Sequence, residues 1–269
     1  MNRMAKFICL TLACLVISAS TEKGSGATKK SPPSHSSPKI GKEYHPPGTK
    51  GGPMVYVPAG EFLMGCISGD NKCGKWGEKH QHTEFLNAFY IDKYEVTQGE
   101  YDECFNSGSC DEGNGKVSGF EGDRQPVVEV DWHHAMLYCK WAGKKLPTEA
   151  EWEKAARGTD ARAYPWGNEK ADCTRAVMDD GGAGCGKKAT WEVGSKPSGA
   201  SPYGAMDMAG NVWEWVLDGH FESSPGIFSG FIRGGAWNTS SEFLRASNRE
   251  SAALVDRDTS IGFRCARTP

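Results

Sequence analysis

The side chains best equipped for chemistry in this chain are its sulfurs, its imidazoles and a late group of indoles and guanidiniums. Of ten cysteines, Cys9 and Cys14 lie in an apolar amino-terminal run, and the other eight are Cys66, Cys73, Cys104, Cys110, Cys139, Cys173, Cys185 and Cys265. As thiolates these would bind soft metals or act as nucleophiles, and in an oxidising compartment they would pair. Spacings of seven, six and twelve residues along the chain do not resemble the short C-x-x-C pairs of zinc sites. Proximity therefore joins Cys66 to Cys73, Cys104 to Cys110 and Cys173 to Cys185, which leaves Cys139 for Cys265. His80, His82, His133 and His134 raise the question of a metal. His133 and His134 are adjacent on a predicted helix and point about 100° apart, so they cannot readily share an ion and read as surface or half-buried side chains. Trp213, Trp215 and Trp237 could stack on a sugar or peptide, although core packing accounts for Trp213. Arg245, Arg249, Arg257 and Arg264 suit either an anionic ligand or buried loop carbonyls. No glycine-rich phosphate loop or serine nucleophile motif is present: GNVWEWV and GGAG lack the flanking strand and helix.

The elements that must position these groups are short. MVYVPAGEFLMG alternates over Met54–Val57, turns at Pro58-Ala59-Gly60 and resumes at Phe62–Met64, which predicts a hairpin. Residues 85–96 carry Phe89, Tyr90, Ile91, Tyr94 and Val96 and predict strand, after which Thr97 caps a helix over Gly99–Phe105. Asp131 caps a second helix with Trp132, Ala135, Met136 and Cys139 on one stripe, ended by Gly143. Thr148 and Glu151 form a capping box for a helix over Glu149–Arg157, stopped at Gly158, with Trp152, Ala155 and Ala156 inward. Beyond it come long glycine-rich loops, with short strands at Phe231–Arg233 and Gly262–Arg264. The result is an α+β fold of low regular secondary structure, with two main helices and small antiparallel sheets.

Composition bounds the rest. The chain has 269 residues, 38% of them hydrophobic, with 34 glycines and nine tryptophans, enough for one core in a domain of about 200 residues. A formal net charge of -3 without a basic block gives no reason to expect nucleic acid. Arg3 and Lys6 precede an apolar run from Phe7 to Ile17 and small residues Ser18, Ala19 and Ser20, so residues 1–20 read as a signal peptide. Lipid attachment at Cys14 is the lesser reading, because Thr11, Leu12 and Ala13 match that signal poorly. Residues 21–52 are rich in Ser, Pro, Lys, Gly and Thr and predict a disordered linker. No later apolar run is long enough to span a bilayer, and the folded part, 53–269, is expected to be exported to the periplasm or the extracellular space.

Six blocks in order carry a resemblance: MVYVPAGEFLMG, FYIDKYEVTQGEY, VVEVDWHHAMLYCKWAGKKLPTEAEWEKAARG, YPWGNE, DMAGNVWEWV, and FIRGGAWN with GFRCAR. Together they resemble the formylglycine-generating enzyme, or sulfatase-modifying factor, family. The resemblance implies a variant of the C-type lectin fold, and it also implies the pairing of Cys139 with Cys265. The family's enzyme oxidises a substrate cysteine with oxygen and a copper(I) ion held by two thiolates just after the RGGS-type segment. Here that segment, from Arg233 to Ser251, contains no cysteine. Thr239 falls where the first thiolate would be, the second falls near Leu244, and Ala236 replaces the active-site serine. Neither hydroxyl nor alkyl groups suit copper(I).

The resemblance further implies a calcium site at Asp207, Gly210, Val212 and Glu214, whose mixed oxygen donors suit a hard ion. The alternative for Glu214 is a buried arginine partner. The family's other calcium site loses oxygen-bearing side chains at Val177 and Cys185. Relatives that are non-haem iron enzymes take their histidines largely from a helical domain missing here. The expectation is thus a non-catalytic binding or scaffolding module with Trp237, Asn238, Thr239 and Arg245 lining a vestigial groove for a peptide or exported protein. The competing expectation is an oxidoreductase using non-thiolate chemistry in the same groove; a carbohydrate binder rests on fold analogy alone.

Overall fold

The computed structural model describes residues 37–66, 73, 80–111 and 117–269. The signal-peptide reading and the first half of the linker reading lie outside these residues. The linker expected over 21–52 is cut short by β1 (Glu43–Tyr44), which pairs antiparallel with β2 (Met54–Val57). Residues 43–52 also reach the helical part, where Lys50 N donates to Ala142 O at 3.0 Å. Composition misreads this stretch because a two-residue strand is held by backbone bonds, which need no apolar side chains.

β2 continues to β5 (Phe89–Asp92) and then to β11 (Ala266–Arg267) in a four-stranded antiparallel sheet, order β1-β2-β5-β11. The period-two alternation buries Val55, Val57, Phe89 and Ile91 against Trp152, Ala155 and Ala156 of the third helix. The predicted hairpin does not form: β3 (Gly60–Met64) leaves β2 at Pro58 and pairs with β4 (His82–Leu86) in a separate sheet. Gly60 takes φ 141°, and Lys154 Nζ donates to Pro58 O at 2.9 Å and Gly60 O at 2.7 Å, so this corner is clamped from the third helix.

The third sheet joins β6 (Trp213–Trp215), β7 (Phe221–Ser224), β8 (Ile227–Arg233), β9 (Arg249–Ala253) and β10 (Ile261–Gly262), with β8 at its centre. The strand predicted over Gly262–Arg264 is instead split between β10 and β11, so Phe263 and Cys265 fall between sheets and into the core.

The helices are α1 (Gln98–Asn106), α2 (Trp132–Trp141) and α3 (Glu149–Arg157); α2 and α3 are the two main ones expected, and α1 is the helix predicted over Gly99–Phe105. The predicted capping box of Thr148 with Glu151 forms, the Thr97 cap is completed into a second box by Glu100, and Asp131 caps α2 by accepting from His134 N at 3.0 Å. On α2 the buried side is Trp132, His134, Ala135, Tyr138 and Cys139, whereas Met136 faces outward. The burial of Tyr138 turns the stripe toward Phe263, whose ring lies 5.4 Å away.

The four bridges join Cys66 to Cys73, Cys104 to Cys110, Cys139 to Cys265 and Cys173 to Cys185. The third spans 126 residues and ties α2 to the carboxyl-terminal strands, which on a loop-entropy argument stabilises by about 5 kcal/mol. α3 also buries charge. Arg233 Nη1 meets Glu149 Oε1 at 2.9 Å and its Nη2 meets Glu153 Oε2 at 2.6 Å, while Arg157 Nη1 takes Glu153 Oε1 at 2.9 Å. This face of α3 is thereby bolted to β8, and removing one partner would strand a buried charge.

Candidate functional site

The loop after β8 begins Gly234-Gly235, with φ 97° and 75°. A Cβ on Gly235 would meet Leu244 Cδ1 at 2.6 Å and Thr239 Oγ1 at 3.1 Å. These two side chains therefore converge on one point, which is where a pair of ligands from positions 239 and 244 would meet. Their chemistry is closed. Thr239 Oγ1 accepts from Ala236 N at 2.9 Å and donates to Ala236 O at 3.0 Å, locking a turn. Leu244 is fully buried with Tyr164, Ala171 and Met178, and Ala236 is fully buried as well.

The four groove residues differ in exposure. Trp237, Asn238 and Thr239 share one turn: Trp237 is half-buried against Phe120, with Nε1 donating to Thr259 O at 3.1 Å, and the Asn238 side is exposed. Arg245 is buried, its Nε donating to Glu242 O at 3.1 Å, so it supports the loop from beneath. A neighbouring loop, closed by the Cys173–Cys185 bridge, presses on the turn through Gly184 N to Trp237 O at 2.6 Å and Asp179 N to Thr239 O at 2.9 Å.

A second cluster lies in the core. Glu214 accepts from Arg264 through both oxygens, each at 2.7 Å, and from Trp152 Nε1 at 2.7 Å. Asp207, in the left-handed region at φ 57°, accepts from Gly194 N at 2.6 Å. Glu95, which sequence reasoning overlooked, accepts from Asn211 Nδ2 at 2.6 Å and Val212 N at 3.1 Å. Nothing in the sequence marks Glu95 as buried, because it sits between a strand and a cap where acids are ordinarily solvated.

Three buried carboxylates face one guanidinium. Burial, followed by the charges of Asp207 and Glu214, pushes Glu95 well above the usual carboxylate range. Burial is also the largest influence on Asp207, which is raised to about 6. Glu214 thus takes three of the roughly four hydrogen bonds a carboxylate can accept, and Arg264 is the buried arginine partner that stood as the alternative to a calcium ligand. Among the described residues no group of three or more His, Cys, Asp or Glu is arranged to hold a metal ion. A hard cation beside Asp207 and Glu95 would favour their ionised forms against the burial and repulsion that raise them.

The histidines stay apart from these clusters. His134 Nδ1 meets the buried Asp131 Oδ1 at 2.6 Å and Arg257 lies alongside, whereas His133 is exposed and packs edge-on against Trp132. His80 and His82 lie on β4 and the bridge before it. Trp213 and Trp215 are core residues.

Residues 43–269 match the family described as sulfatase-modifying factor enzyme 1-like domain. The chain is 33% identical to the serine/threonine-protein kinase pkn1 of Chlamydia caviae, over 80% of this chain and 38% of that protein. It is 37% identical to the inactive C-alpha-formylglycine-generating enzyme 2 of Bos taurus, over 52% of this chain and 50% of that protein. The chain thus spans half or less of the length of these relatives. PvdO from Pseudomonas aeruginosa is similar in structure, with a TM-score of 0.72 and 31% identity, covering 86% of this chain and 99% of that one.

Proposed function

Because the chain belongs to the sulfatase-modifying factor enzyme 1-like family over residues 43–269, we propose that it is a non-catalytic binding or scaffolding module of that family, serving a peptide or exported protein partner. The observation that carries this reading is the filling of the point above Gly235 by a turn-locked hydroxyl and a buried methyl. No side chain there offers the soft donor that copper(I) requires. Every cysteine among the described residues is bridged, so none supplies a thiolate from elsewhere. What remains on the surface of the turn is a half-exposed indole and an exposed amide, which suit peptide contact. Four bridges are compatible with export, and no described helix is long and apolar enough to cross a membrane.

The reading includes a structural calcium ion at Asp207, Gly210, Val212 and Glu214, with Glu214 shared between the ion and Arg264. The gathering of buried carboxyl groups at Glu95, Asp207 and Glu214 supports it.

The test is direct. Purified protein is incubated with copper(I), dioxygen and a cysteine-containing sulfatase peptide, and the peptide is read by mass spectrometry. The proposal expects unchanged cysteine; formylglycine formed in a copper-dependent manner would overturn it.

A further inference from the structure

Two ammonium groups crowd one indole beside the groove. Lys187 Nζ lies 3.6 Å and Lys196 Nζ 3.9 Å from the centroid of the Trp191 ring. Each gains from the ring's negative face, yet the two like charges repel. Burial, and then the charge of Lys187, holds the Lys196 ammonium below its usual range. Three neighbouring acids are engaged elsewhere: Glu192 with Arg124 at 3.6 Å, Asp179 with Gly182 N at 2.8 Å and Asp207 with Gly194 N at 2.6 Å.

This arrangement is built into the fold. Trp191 N donates to Asn211 Oδ1 at 3.0 Å and its Nε1 to Gly184 O at 2.9 Å. Trp237 is bound to the same two residues, accepting at its carbonyl from Gly184 N at 2.6 Å and donating to Asn211 O at 2.9 Å. The two indoles are thus hung from shared supports, and the lysines approach Trp191 from separate loops, one following the Ala183–Gly186 turn and one preceding Pro197–Gly199.

We propose that Lys187, Lys196 and the Trp191 ring anchor a carboxylate-rich peptide segment of the partner, laid next to Trp237. The inference rests on the binding-module reading and specifies its ligand. Ammonium groups are compact point charges, and two of them on separate loops match two side-chain carboxylates. The fork of an arginine or a run of backbone N–H groups, which favours phosphate, is not supplied by these three side chains.

The experiment uses the full chain and fluorescein-labelled hexaglutamate and hexaglutamine peptides, read by anisotropy at low ionic strength. Hexaglutamate binds and hexaglutamine does not, and added salt weakens the binding. The double variant K187Q/K196Q lowers affinity by roughly tenfold or more, while Lys140→Gln, an exposed lysine on α2, leaves it within about twofold. Thermal melts establish that both variants fold. Absent binding of hexaglutamate, equal binding of hexaglutamine, or undiminished binding by the double variant would overturn the proposal. So would inorganic phosphate displacing the peptide far better than chloride at matched ionic strength. Copper-dependent peptide oxidation is measured separately, so a silent anisotropy assay together with a silent oxidation assay removes the lysine anchor and leaves the module reading standing.

Discussion

Gly235 is where a single residue decides most. Its φ of 75° already favours glycine, and a Cβ would lie 2.6 Å from Leu244 Cδ1. Gly235→Ala is therefore predicted to destabilise by about 2–4 kcal/mol, read as a lowered denaturation midpoint at constant slope. Thr239→Val removes the hydroxyl that both accepts from and donates to Ala236 and is predicted to cost about 1–2 kcal/mol in the same assay. Asp207 gives a second test at this scale. Calcium bound to the native state alone must raise the melting temperature, EDTA must lower it, and Asp207→Asn must abolish the response; a melt indifferent to calcium would remove the ion from the account. The absence of cysteine after RGGA was legible in the sequence, as was the replacement of serine by Ala236. The partnership of Glu214 with Arg264 was legible only as an alternative, since both lie in motifs and neither advertises which one the other meets. Glu95 and the Lys187–Trp191–Lys196 contact were not legible, because loops of irregular backbone bring them together and no periodicity records it.

At the scale of elements, caps were the most readable feature, since a cap is a local bond between residues three apart. The Asp131 cap has a further consequence. Burial works against its charge, but hydrogen bonds from the His134 backbone and ring, and then the charges of His134 and Arg257, hold its carboxyl below the usual range. A carboxyl depressed on folding contributes stability above its unfolded pKa, and that contribution is lost as pH falls through its lower folded pKa. Asp131→Ala is accordingly predicted to cost about 1–2 kcal/mol near neutrality, and the gap from the parent should close below about pH 4, followed by chemical denaturation across pH. Strand partnership was the least readable feature. β2 and β3 look like a hairpin, and only the longer pairings with β5 and β4 reveal that Pro58 turns a corner between sheets. The α3 acids Glu149 and Glu153 lie outside the inward set of Trp152, Ala155 and Ala156 predicted for this helix, yet Arg233 pairs with both in the interior.

The whole molecule is held by few regular elements and many fixed loops, so its long-range ties carry unusual weight. The Cys139–Cys265 bridge joins α2 to the last strands, and replacing both cysteines by serine is predicted to lower stability by about 2–5 kcal/mol, measured by denaturant unfolding. Order and spacing of the six motif blocks made the family legible along the chain, whereas composition hid the start of the fold at β1. The scaffold is retained without soft donors above Gly235, and copper(I) binding reports on that loss. Titration against a competing copper(I) chelator should show no stoichiometric site in the parent chain, while T239C/L244C, which restores two sulfurs to the point where those side chains converge, should gain one. A tight one-to-one copper(I) site in the unaltered chain would contradict the account.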